Sequence, residues 1–145
     1  MTERRPNYPG IIAGAIVLFA WGAIWFTLLS SAYLASVGKS KAELDASGFW
    51  PYIIAFVAGL FVSYCFDNML WHYERGDAVK GLQVGVLTGV CIFGAMLVNL
   101  YSFEARPISL MLIDGGYGII GFALTGAVVG AMRARAGRRG AAPVS

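Results

Sequence analysis

The chain has 145 residues, 58% of them hydrophobic and only 13% charged, with a mean hydropathy of +0.67. A soluble domain of this size carries about a quarter charged residues; here long stretches are almost free of charge and the charges fall between them. That pattern excludes an ordinary soluble domain and points to an all-α membrane protein. The net charge of +3 fits positive charge on the cytoplasmic side of a membrane better than a nucleic-acid surface, because no basic patch interleaves with aromatics on a polar face.

In chain order, Met1 to Asn7 is polar and holds Arg4 and Arg5. No charge occurs from Tyr8 to Gly38, and Pro9 suits a first helical turn. A first span is expected over 9–34. Its length of about 39 Å exceeds a bilayer core of about 30 Å, so tilt or protrusion is expected. The run is too long for the apolar region of a signal peptide, about 7–15 residues, and reads as a retained span. Ser36 to Gly48 forms a polar link with Lys39, Lys41, Glu43 and Asp45. The second span, 49–71, lies between two aromatic belts, Phe49-Trp50-Pro51-Tyr52 and Trp71-His72-Tyr73. Asp67 and Asn68 sit one turn before its end, where Asp67 is expected to snorkel or cap, with an inner gate as the sharper alternative.

A short turn, Glu74 to Lys80, offers Asp77 as an N-cap for a third span over 81–101. Gly81, Gly85 and Gly89 repeat at four-residue spacing and let another helix approach closely. The Ser102–Arg106 link is so short that spans three and four must be antiparallel neighbours. The fourth span, 107–132, repeats the small-residue spacing at Gly126 and Gly130. Its tail, 133–145, carries Arg133, Arg135, Arg138 and Arg139 and is expected to end in disordered small residues. These arginines read as topology determinants, with anionic-lipid contact as a secondary role. Lys and Arg number two, two and four in the amino terminus, second link and tail, against two and one in the other links. The fold expected is therefore a single domain of four transmembrane helices, an antiparallel up-down bundle with both termini in the cytoplasm.

Cys65 and Cys91 lie inside apolar stretches without a Cys-x-x-Cys pair and read as buried small hydrophobes. His72 is the one histidine, which excludes a bis-histidine haem site within one chain and makes a His/Cys metal site a poor fit. No cofactor and no metal are expected. Trp21 and Trp25 share a helix face and read as packing residues ahead of an aromatic ligand box.

Nearly all the polar chemistry set in an apolar body lies between Asn99 and Tyr117. Asp114 is seven residues into the fourth span, about 10 Å below the start of the helix. An ionised aspartate near a helix centre costs about 2.5–3.5 kcal/mol to insert, so it should face other helices and have a partner. Tyr117, Gly121 and Thr125 follow at helical spacing, Asn99 can lie opposite, and Glu104 and Arg106 sit at the mouth. Three readings compete: a structural network locking two helices, a binding or proton-coupling site, and catalysis, which lacks a nucleophile–base pair or metal set.

The residues Asn99, Phe103-Glu104-x-Arg106-Pro107 and Leu110-x-Leu-Ile-Asp114-x-Gly116-Tyr117, with the late glycines of span four and Trp21 and Trp25, carry a family likeness. The chain resembles a bacterial membrane protein family known as domain of unknown function 1761. It departs after the tryptophans, with Phe26-Thr27-Leu28-Leu29 and Val37-Gly38-Lys39 where members often have Tyr-Ser-Pro and Phe-Gly-Lys-x-Trp. The resemblance implies four spans and the same polar cluster; it implies no activity.

The expectation is a non-enzymatic, multi-pass protein of a bacterial inner membrane. Its functional form is a proton-coupled carrier of a small solute or ion, with Asp114 protonatable, Asn99 and Tyr117 orienting it, and Glu104 and Arg106 at the outer mouth. The alternative is an accessory or structural subunit of a larger membrane complex. The expected partners are the lipid bilayer and other membrane proteins or further copies of the chain. A chain this small encloses little permeation path alone, and its glycine stripes offer association faces.

Overall fold

The computed structural model describes residues 5–73 and 76–140. Arg4, and the small-residue end at 141–145, lie outside the described residues. Those described form helices and connecting segments with no strand among them: α1 Tyr8–Leu28, α2 Ser30–Val37, α3 Lys41–Asp45, α4 Trp50–Trp71, α5 Ala78–Phe103 and α6 Ile108–Gly140. Four of them, α1, α4, α5 and α6, are long and apolar enough to cross a membrane. Only 22–33% of each apolar window is buried inside the protein. The remainder, with Ile12, Phe61, Leu87 and Leu112 among its exposed side chains, needs an apolar solvent to cover it.

The first span is shorter than the 9–34 expected. Asn7 caps it, its Oδ1 accepting from Gly10 N at 3.4 Å, and Pro9 stands in the first turn. The helix stops at Leu28, about 31 Å from its start, which matches a bilayer core without tilt. After the break at Leu29 the chain restarts as α2, rich in serines that favour helix starts over helix interiors. The polar link is also more ordered than expected: Ser40 and Glu43 form a reciprocal capping box on α3, with Ser40 N donating to Glu43 at 2.7 Å.

Helix α6 is the axis of the fold, with α5 along one side and α1 along another; α4 lies mainly against α1. It runs to Gly140, well past the expected end at 132, so Arg133, Arg135 and Arg138 are helical and not part of a tail. About 50 Å of helix exceeds the apolar core, which carries the arginine-bearing turns beyond it.

The contact between α5 and α6 is backbone on backbone. A Cβ on Gly81 would run into the Gly126 carbonyl, one on Gly85 into Phe122, and one on Gly130 into the Asp77 carbonyl. Both small-residue stripes are thus consumed within the chain. This corrects the expectation that they form association faces between copies.

Down this seam Gly81, Gly85, Gly89, Phe93 and Leu97 meet α6 in turn. In a regular α-helix each four-residue step overshoots a full turn by about 40°. The segment Gly89–Gly94 is π-helical, and its wider turns absorb that drift. The same line of residues therefore faces α6 over the whole length of α5, and its next member is Tyr101.

Candidate functional site

Tyr101 closes the hairpin onto Asp114. Helix α5 ends in a Schellman motif: Arg106 N donates to Tyr101 O at 3.0 Å and Ala105 N to Ser102 O at 3.3 Å. Ala105 takes the left-handed position, at φ 50°, that glycine usually fills. Pro107 then starts α6, its carbonyl accepting from Leu110 and Met111. Side chains in a helix lean toward its N-terminus. Tyr101 therefore reaches down from the last turn of α5, while Asp114 leans up along α6, and the phenol donates to the carboxylate at 2.5 Å.

The mouth is built on the same pair. Arg106 lies over the Tyr101 ring at 5.6 Å and binds Glu104 at 2.6 Å, both side chains exposed. The hydrogen bond to Glu104, then its charge, raises the Arg106 guanidinium above its ordinary value. Tyr33 of α2 lies within electrostatic reach of Asp114 and Arg106, and the Ser36 and Ser109 hydroxyls, 2.8 Å apart, join α2 to α6.

Of the residues the sequence singles out, Glu104, Arg106 and Asp114 come together, but Asn99 and Tyr117 do not orient the acid. Asn99 stands two residues from Tyr101, about 200° around the helix, and faces an outer groove beside Gly94, Val98 and Phe103. Tyr117 packs against Phe26, ring centroids 5.1 Å apart. The signal for Tyr101 was available: it continues the four-residue line from Gly81, but a period-3.6 reading discards that line.

The tryptophans of α1 lock the opposite face of α6. Trp25 donates its indole N–H to the Ile113 carbonyl at 3.0 Å, and Trp21 to the Tyr117 carbonyl at 3.2 Å. Gly116 and Gly121 make room, since a Cβ at either would meet the indoles.

A second acid lies at the other end. Asp67 is fully buried and paired with Arg133, Nη1 to Oδ1 at 2.5 Å, while Asn7 N donates to Oδ2 at 3.2 Å. Arg133 also donates to the Asp67 carbonyl at 3.2 Å and stacks over Trp71 at 4.8 Å. Asp67 thus ties the start of α1, the end of α4 and the far part of α6; being buried it does not snorkel, and it accepts the N–H of Asn7, the residue that caps the start of α1. Sequence reading missed this because Arg133 looked like a tail residue. The cysteines also depart from expectation: Cys65 and Cys91 are exposed on the outer apolar surface, where lipid in place of protein supplies their surroundings.

The model of a family described as "Protein of unknown function (DUF1761)" matches residues 9–130. The chain belongs to the DUF1761 family. No curated protein and no solved structure gives a significant match. The DUF1761 match covers Trp21, Trp25, Asp67 and the whole Tyr101–Asp114 hairpin, and ends before Arg133.

Proposed function

We propose that this DUF1761 protein is a multi-pass protein of a bacterial cytoplasmic membrane, with both termini inside, that couples movement of a small solute or ion to protonation of Asp114. The observation behind this reading is the contrast between the two acids. Asp67 is sealed and held by a guanidinium, so its charge is matched in place. Asp114 is partly open and held by a neutral phenol, while the nearest cation, Arg106, is engaged by Glu104. A carboxylate with a phenol partner can take up or release a proton without orphaning a buried cation. Tyr101 orients the acid, and Glu104 and Arg106 set the outer mouth.

The rival reading, an accessory subunit, draws on the packing: each of these acids already has a partner within the chain, as a static module requires. Reconstitution separates the two. Liposomes loaded with a pH dye are challenged with a panel of small solutes and ions. The carrier reading expects solute-dependent proton movement that Asp114→Asn abolishes at parental yield. Proton movement unchanged in Asp114→Asn, with yield lost only in Asp114→Leu, would leave the structural reading in its place.

A further inference from the structure

At the end away from the hairpin, the beginning of α1, the end of α4, the segment before α5 and the last turns of α6 border an open recess of about 850 Å³. Arg5, Arg133 and Arg138 line it, with Trp71 and Tyr73 as aromatic walls. Asp77 is the one carboxylate of the described lining, and it is engaged: its Oδ1 caps α5 by accepting from Lys80 N at 3.0 Å. Arg133 uses only Nη1 on Asp67, so Nε and Nη2 have no protein partner among the described residues. Arg5 and Arg138 have no carboxylate within ion-pair distance among those residues. Beside them Asn7 Nδ2 is buried without an acceptor.

Donors therefore exceed acceptors around a recess where the helices leave the apolar layer. Three guanidinium groups match a group with several charged oxygens, and guanidinium fits phosphate in bidentate fashion. Anchoring of Arg133 between Asp67 and Trp71 fixes one fork before any ligand arrives, which lowers the ordering cost of binding. The volume exceeds a bare phosphate and suits a phosphate carrying an organic substituent. We propose that this recess binds a phosphate-bearing group, supplied by an anionic phospholipid headgroup or by a soluble phosphate ester. The site is separate from the Asp114 pair and does not depend on it.

The test uses full-length protein in maltoside micelles, which carry no phosphate. Phosphatidylglycerol, diacylglycerol and inorganic phosphate are titrated in turn, with native mass spectrometry and thermal shift as readouts. Arg5→Gln with Arg138→Gln removes two exposed cations and should weaken binding about tenfold or more. Gly137→Trp keeps every charge and fills the recess from a position whose Cβ meets open space; it should weaken binding comparably. Lys39→Gln with Lys41→Gln removes as much charge from the α2–α3 link and the start of α3 and should leave affinity unchanged. Arginine-dependent binding of phosphatidylglycerol alone assigns the site to lipid, and of inorganic phosphate to a soluble ester. Parental affinity in both the arginine double variant and Gly137→Trp overturns the proposal, as does an equal loss in the lysine control or equal binding of diacylglycerol.

Discussion

Removing the cation from the buried Asp67–Arg133 pair is the sharpest perturbation of this fold. In Arg133→Met the Asp67 carboxylate stays fully buried and keeps one neutral donor, the backbone N–H of Asn7 at 3.2 Å. Breaking a buried pair by deleting one partner costs about 3–5 kcal/mol, and loss of the cation–π contact with Trp71 adds about 0.5–1 kcal/mol. Asp67→Asn combined with Arg133→Met removes both charges while keeping an oxygen for Asn7 N. Replacing a whole buried pair is often neutral, so the double variant should recover most of the loss. Unfolding in detergent, followed by circular dichroism across the four-variant cycle, measures the coupling directly, expected at about 3 kcal/mol or more. An Arg133→Met protein within about 0.5 kcal/mol of the parent, with additive single effects, would refute the claim that this pair ties three helices.

Three further outcomes follow from the geometry. Tyr101→Phe leaves Asp114 without its phenol and should cost about 1–3 kcal/mol, whereas Tyr117→Phe and Asn99→Leu should stay within about 0.5 kcal/mol in the same unfolding assay. Gly126→Leu drives a side chain into the Gly81 backbone and should cost more than about 3 kcal/mol or abolish folded yield, since neither helix backbone can yield locally; size-exclusion recovery reads this. The Glu43 carboxyl is held below its ordinary value, chiefly by the Ser40 backbone hydrogen bond and then by the Ser40 hydroxyl. Its capping contribution is therefore present above the usual carboxylate range and lost as pH falls through the lowered value. Amide protection over 40–43, taken against the intrinsic exchange rate at each pH, should fall at acid pH; Glu43→Gln should remove that dependence, whereas Ser40→Ala keeps the backbone hydrogen bond and should remove only part of it.

The number of spans and their approximate places were legible because four apolar runs separated by charge admit few alternatives. Boundaries were harder. The end of α1 at Leu28 depends on a break inside an uncharged run, and the extension of α6 on arginines that packing draws into the helix. Asp114 was legible as an acid too costly to leave unpartnered, but its partner was not. Choosing Tyr101 over Asn99 required the π-helical phase of α5, which no composition rule announces. The glycine stripes were recognised as contact faces, yet sequence alone does not tell an intramolecular contact from one between copies; the short hairpin places the matching stripe on the adjacent helix.

Asp114, held by a neutral phenol and partly open, is the acid whose protonation is expected to change. Infrared difference spectroscopy of the protein in liposomes, recorded while external pH is lowered, reads carboxyl protonation without knowledge of any ligand. The expected result is a protonated-carboxyl band that disappears in Asp114→Asn, shifts in Tyr101→Phe and persists in Asp67→Asn. A band unaffected by Asp114→Asn, or one lost only in Asp67→Asn, would contradict it.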